Sequence, residues 1–397
     1  MCKLKAFFIG IIVSLSSTIF VYSQNSPYSI RGVGDLGSME LPHNIAMGGI
    51  GLSQPHNLYL NNMNPALLPN NTLTNFGLGV MSDYKRISNQ NTSTTNLGGG
   101  LSYLTFAFPI VAGKWTLSSG LIPYSTVDYN YQVVGSVVPE TNTTVNYDYS
   151  GEGGISRAFI ANGFQLSKRF AVGFQVNYLF GSIINETGTE IEGADIPSAY
   201  RTVVYDRTRF SDFSVKGGLS FHQQVKGRTF FNAGLIYELG GDINSNQLVR
   251  LERKTLSNAT WQSLSMDTIA NAKGSVSLPS TLGFGVSLFK NFHWTVGTDI
   301  TLQNWSTFRN FNGSNGDMVN SYRIGLGGEY TPEISSIDSY FKRITYRMGF
   351  NYENTPFQIN DEQVRDFGIN FGISLPVSRF SSLDMAFRLG QRGAISN

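Results

Sequence analysis

Apolar and polar residues alternate with period two through long stretches of this chain. Phe170, Val172, Phe174, Val176, Tyr178 and Phe180 form one series. Arg169, Ala171, Gly173, Gln175, Asn177 and Gly181 form the other, and Leu179 alone is off pattern. The same division sets Phe367, Ile369, Phe371, Ile373 and Leu375 against Asp366, Gly368, Asn370, Gly372 and Ser374. Successive side chains on a strand point to opposite faces, so a strand built this way meets two different solvents. Repeated along the chain, the pattern predicts an all-β fold, an antiparallel transmembrane β-barrel with lipid outside and a wet or plugged lumen.

Thirteen strand candidates lie at about 74–85, 96–109, 113–126, 155–167, 169–183, 206–222, 227–241, 273–290, 292–307, 319–331, 343–353, 365–376 and 380–392. Most are long enough for a tilted crossing of ~9–11 residues. Alternate connections are tight, as at Val111-Ala112-Gly113, Leu166-Ser167-Lys168, Val225-Lys226-Gly227, Lys290-Asn291 and Val377-Ser378-Arg379. The others run long, near 126–155, 183–206 and 241–273. Outer-membrane barrels place short turns in the periplasm and long loops outside, and only 331–343 breaks the parity. The thirteenth candidate ends outside, whereas bacterial barrels have an even strand number. The expectation is a 14-stranded type whose last strand, with its usual terminal aromatic residue, is missing from this sequence.

Charge decides which face meets lipid. On the candidates at 169–183, 206–222 and the four from 319 to 392, the apolar face is uncharged. The opposite face carries Lys216, Arg323, Glu329, Arg347, Asp366, Asp384 and Arg388. Each Arg or Lys turned to lipid near the midplane costs ~2–4 kcal/mol. For Lys216, Arg323, Arg347 and Arg388 together that is roughly 8–16 kcal/mol, as large as a typical fold's stability. These charges are therefore expected to line the lumen. A soluble β-sandwich also satisfies the alternation, but thirteen long strands behind a secretory leader fit a barrel better.

That leader is residues 1–23. Lys3 and Lys5 give a positive start, Ala6 to Phe20 a short apolar stretch, and Val21-Tyr22-Ser23 a cleavage site. The stretch is too short and serine-rich to span ~30 Å of hydrocarbon, and no later segment has ~18 consecutive apolar residues. The localisation expected is the outer membrane of a diderm bacterium. Residues 24–72 are rich in Gly, Asn and Pro and do not read as strands. A net charge of +2 with no basic stripe argues against a nucleic-acid partner. Cys2 is the one cysteine and leaves with the leader, so no disulfide framework is expected. His43, His56, His222 and His293 are scattered, with no metal-ligand spacing and no nucleophile elbow. No catalytic residue, metal or cofactor is expected.

Asn64-Pro65-Ala66 before the first strand, the irregular N-terminal segment and the fourteen-strand parity together resemble the FadL family of outer-membrane transporters for long-chain fatty acids and aromatic hydrocarbons. The matching pieces are Gly32-Val33-Gly34-Asp35-Leu36, Asn44-Ile45-Ala46-Met47-Gly48-Gly49 and Asn61-Asn62-Met63-Asn64-Pro65-Ala66. Late in the chain they are Arg347-Met348-Gly349-Phe350-Asn351-Tyr352-Glu353 and Gly390-Gln391-Arg392-Gly393. The resemblance implies an N-terminal hatch (24–72) inside a barrel (73–397), and hydrophobic substrates leaving sideways into the membrane. Asn64, Pro65 and Ala66 would anchor the hatch near the wall; the alternative is a plain turn before a strand.

A sideways route requires a break in the strand ladder. Pro123 lacks a donor and would weaken pairing on the third strand, or else marks where that strand leaves the membrane. The first functional reading is a channel for passive uptake of small hydrophobic molecules, with outer-membrane lipid and a hydrophobic ligand as partners. The second is a non-transporting partner in a protein secretion or assembly complex, a role taken by some proteins similar to FadL. An apolar pocket above the hatch, lined by aromatics from Leu58 to Leu73 and the long loops, would favour transport. A large exposed apolar patch on those loops, without an internal pocket, would favour the partner role.

Overall fold

The computed structural model describes residues 26–88, 93–136, 144–192, 200–257, 260–378 and 380–393. The expected leader, residues 1–23, lies outside them. The alternating segments form strands β1 (Asp35–Leu36), β2 (Asn75–Ser88), β3 (Ser93–Val111), β4 (Trp115–Ser136), β5 (Thr144–Gln165), β6 (Phe170–Glu192), β7 (Tyr200–Lys226) and β8 (Thr229–Glu238). They continue as β9 (Gly241–Ser257), β10 (Thr260–Leu278), β11 (Thr281–Lys290), β12 (Trp294–Gln303), β13 (Ser321–Tyr330), β14 (Thr345–Ile359), β15 (Glu362–Pro376) and β16 (Ser382–Gly393).

All pairings are antiparallel and almost all join sequence neighbours. The path runs β2 to β8, then β11 to β16. β9 continues β8 past Leu239-Gly240, and β10 leads into β11 past Pro279-Ser280, so β9 and β10 form a tall hairpin paired to the upper part of β7. Each of the thirteen expected segments has a counterpart. β2 and β16 end the path, with no ladder between them among the described residues.

The long connections expected at 126–155, 183–206 and 241–273 are instead mostly strand. The β4–β5 ladder reaches Ser136↔Thr144, β6–β7 reaches Glu190↔Arg201, and β9–β10 begins at Ser257↔Thr260. Beyond the bilayer both faces of a hairpin meet water, so the alternation fades, as in consecutive exposed Tyr131, Gln132, Val133 and Val134. Backbone pairing needs no apolar face and continues.

Within the wall the alternation holds. On β6, Phe174 is 47% exposed on the outer face while Gln175 is 1% exposed on the inner. Ile369 and Phe387 point outward, and Lys216 is buried inside. The segment before β2 runs inside the wall: a short helix, Pro42–Ala46, packs on β14, β15 and β16, and a 3-10 turn, Pro65–Asn70, packs on β4 to β7. One short segment touches strands far apart in the strand order, β14 to β16 and β4 to β7, only because the sheet curls around it.

Two apolar clusters fill the space inside. The upper joins Val33 of the inner segment to Tyr129, Leu179, Phe210 and Ile243 of the wall. It also takes in Trp305, Phe308 and Met318 from the connection between β12 and β13, which folds inward. Leu179 broke the β6 alternation because the lumen at its level is dry. The lower cluster joins Leu41, Leu60 and Leu68 to Tyr103, Ile122 and Phe159.

Candidate functional site

The inner segment, residues 26–71, is seated in two glycine troughs of the wall. In the first, Gly163 pairs with Gly173 and Gly173 with Gly218 across β5, β6 and β7; the Pro65-Ala66 backbone lies against Gly163 and Gly173, and the Asn64 side chain and Pro65 ring against Gly218. A Cβ at Gly163 would come within 2.5 Å of the Pro65 carbonyl oxygen. In the second, Gly327 of β13 pairs with Gly349 of β14, and Met47-Gly48 rests there. Side chains of normal size on the inward face would hold the segment off the wall.

Asn64 is fully buried. Its Oδ1 accepts from the Ala66 N–H (3.0 Å), and its Nδ2 donates to the carbonyls of Leu52 (2.8 Å) and of Leu219 on β7 (3.1 Å). Pro65 starts the 3-10 turn and Ala66 is buried within it. The tripeptide thus caps its own turn and reaches the wall.

Inward charges hold the rest. Lys216 Nζ donates to the carbonyls of Asn62 (3.2 Å) and Met63 (3.1 Å), and to the Met39 sulfur. Arg323 forms a forked pair with Glu40 of the inner segment. Arg347 pairs with Glu329 (Nε–Oε2 2.9 Å) and lies over the Tyr59 ring, 5.0 Å from its centroid. Glu329 also faces His56 Nε2 at 4.0 Å. Asp366, Asp384 and Arg388 bond within the wall: Arg388 to Asp366, and Asp384 to Ser374 and Ser382.

Burial, reinforced by the Arg347 charge, holds the His43 imidazole well below its usual pKa. Burial likewise lowers that of His56 to about 4, against the opposing pull of Glu329. Both rings are neutral at pH 7 and flank Tyr59, His43 stacked on its ring and His56 tilted against it.

The sequence reading missed several contacts of equal weight. Asp299 on β12 accepts the N–H groups of Gly51 (2.6 Å) and Leu52 (2.8 Å). Arg157 pairs with Glu238 at 2.8 Å, and Arg392 joins Asp35 of the inner segment (3.0 Å) to Asp366 (2.8 Å). Asp299 and Arg157 follow the same period-two rule that singled out Lys216, and that rule would have found them.

The wall itself is broken twice. β3–β4 pairing stops at Leu104↔Leu121. Two residues on, Pro123 meets a register shift against β5, and β1 of the inner segment takes over the edge of β4 at Leu36↔Ser125 and Asp35↔Thr126. The N–H of Gly37 donates to the Tyr124 carbonyl (2.8 Å), and that of Ser26 to the Asp128 carbonyl (2.9 Å). The second break lies along β7, between Phe210↔Ser245 and Lys216↔Glu238. There Leu239 N–H donates to the Val215 carbonyl, and Asn244 N–H reaches only the Asp212 carboxylate (both 2.9 Å).

A cavity of about 350 Å³ extends between these breaks. Pro123 and Tyr124 line it at one side, Phe213, Val215 and Leu239 at the other, and Met39, Lys216 and Arg323 lie between. It is mixed in character. Of the stretch from Leu58 to Leu73, expected to supply its aromatic lining, only Met63 lines it: the aromatic of that stretch, Tyr59, is held under Arg347 between His43 and His56, and Leu60, Leu67 and Leu68 are buried in packing. Among the described residues, no group of three or more His, Cys, Asp or Glu is placed to hold a metal.

Known structures share this fold. The CymD monoaromatic hydrocarbon channel superposes with a TM-score of 0.54 at 15% identity, over 90% of this chain and 93% of that one. The Pseudomonas putida toluene transporter TodX gives 0.55 at 15% identity, over 90% and 92%. A Pseudomonas aeruginosa FadL homologue gives 0.53 at 11% identity, over 91% of each chain. At such identities the likeness is one of fold alone, the FadL-like outer-membrane β-barrel of Gram-negative bacteria. No curated protein matches the sequence. The model of one family, BamG, matches residues 2–397. With that match along nearly its whole length, the chain belongs to the BamG family.

Proposed function

We propose that this chain is a non-transporting outer-membrane partner in protein assembly, embedded in the outer membrane after its leader is removed. The match to BamG, a family whose name is shared with the barrel-assembly (Bam) machinery, carries the reading. The interior supports it. The inner segment is fixed by Arg323–Glu40, Arg392–Asp35, Lys216 and Asp299, and an apolar cluster fills the lumen above it. In this reading Asn64, Pro65 and Ala66 anchor a permanent plug, and the inward charges are structural ion pairs.

One observation favours a second reading, a passive channel for small hydrophobic molecules with lateral release. The cavity touches both wall breaks, and Pro123 lies at one of them. A hydrophobic molecule gains by passing from such a cavity into lipid.

Depletion separates the two. The assembly reading expects newly made outer-membrane barrels to accumulate unfolded, seen as loss of their heat-modifiable gel mobility, with uptake of labelled fatty acid and toluene unchanged. The channel reading expects reduced uptake and normal barrel folding.

A further inference from the structure

The tight turns at one end of the wall share a chemistry that neither functional reading uses. Lys114 sits between β3 and β4, Lys168 and Arg169 between β5 and β6, Lys226 and Arg228 around β7–β8, and Lys290 at β11–β12. These turns contain no Asp or Glu. Among the described residues none of the six cations has a carboxylate within ion-pair distance, and all but Lys290 are exposed. The longer connection between β13 and β14 differs, for there Lys342 has Glu333 at 3.8 Å.

Two of these turns expose apolar side chains beside the cations, Leu166 at 66% and Val225 at 61%. Just above them the outer wall carries aromatic rings in mutual contact: Trp115 with Phe164 (5.7 Å), Phe164 with Phe174 (6.1 Å) and Phe170 with Phe221 (5.2 Å). Aromatic rings collect at the boundary between hydrocarbon and headgroups, on the lipid-facing surface of a barrel. Cations a few ångströms beyond such a belt, accompanied by exposed apolar groups, stand at headgroup depth. Short turns mark the periplasmic end, so the headgroups are those of the inner leaflet.

We propose that this rim is a binding ring for anionic glycerophospholipid headgroups of the inner leaflet, the basic turns gathering phosphatidylglycerol-type lipids around the barrel. The belt above and the apolar tips beside the cations favour lipid over an acidic protein surface, which would meet the tips from below and need no aromatic belt.

The test is native mass spectrometry of the full chain in detergent, with equal phosphatidylglycerol and phosphatidylcholine of matched acyl chains. The wild type should retain phosphatidylglycerol preferentially, and high salt should reduce that preference. Replacing Lys114, Arg169, Lys226 and Arg228 by Gln should abolish the preference, each cation contributing up to about fivefold. Arg169→Lys with Arg228→Lys should keep it. A four-Gln control at the opposite end, at Lys85, Arg86, Arg209 and Lys273, should also keep it. Heat-modifiable mobility verifies that every variant is folded. Equal retention of the two lipids by the wild type would overturn the proposal, as would an undiminished preference in the rim variant. A rim-dependent affinity for an acidic protein without lipid preference would also overturn it and assign the ring to a protein partner.

Discussion

Asp299 and His56 show how single residues hold the inner segment in place. Asp299 gives one carboxylate oxygen to two adjacent N–H groups, Gly51 and Leu52, at a point where the segment has no secondary structure of its own. Asp299→Ala leaves both donors buried without that acceptor, a loss of about 1–3 kcal/mol in docking. Limited proteolysis should then cut the segment at concentrations of protease that spare the wild type. His56 gives the segment a pH dependence. Released, its imidazole takes a proton near the usual 6.5; docked, burial delays uptake until about 4. The free form therefore binds more protons between those values, and docking weakens as pH falls through that window. Protease resistance should be full at pH 7.5 and reduced at pH 5, and His56→Gln should lessen the difference, the buried His43 supplying the remainder with the same sign. The inward charges were legible because they sit on strands whose apolar face is unmistakable. Glu40 and Asp35 were not, since no periodicity on an irregular segment tells which charge will meet a wall residue far along the chain.

Among the elements, the 3-10 turn Pro65–Asn70 and its trough form one unit. Asn64→Ala with Pro65→Ala removes the contacts to Leu52 and Leu219 and the proline that starts the turn. The turn should loosen and the segment become protease-sensitive; unchanged resistance would make the tripeptide a mere bend. The opposite trough can be filled instead of emptied. Gly349→Ala drives a Cβ into the Met47–Gly48 backbone, and overpacking of this kind costs about 1–3 kcal/mol. A lower thermal midpoint for loss of the folded gel band, larger than for Gly217→Ala, whose Cβ meets open space, is the expected outcome. The strands could be read from sequence because lipid enforces alternation on them. Their upper extensions could not, because a ladder standing in water needs no pattern. The troughs were visible only as glycines on polar faces, and nothing local said which backbone would lie against them.

The molecule as a whole is a wall with its own N-terminal segment inside; the wall was legible from alternation and turn parity, the segment's place within it only from the resemblance to the FadL family. The two breaks were not, apart from Pro123, since a missing pairing depends on where neighbouring strands diverge. Deleting residues 24–71 should leave a membrane-inserted barrel with higher single-channel conductance in planar bilayers and lower heat resistance; unchanged conductance would count against a plug.

The lower heat resistance follows from β1. By replacing β3 along the edge of β4, the inner segment satisfies N–H and C=O groups that would otherwise face hydrocarbon, at several kcal/mol each. It is thus a stave as well as a stopper. The cylinder is incomplete until its N-terminus is threaded home, and any gate at that seam has to slide along β4, since dropping free would leave the seam bare.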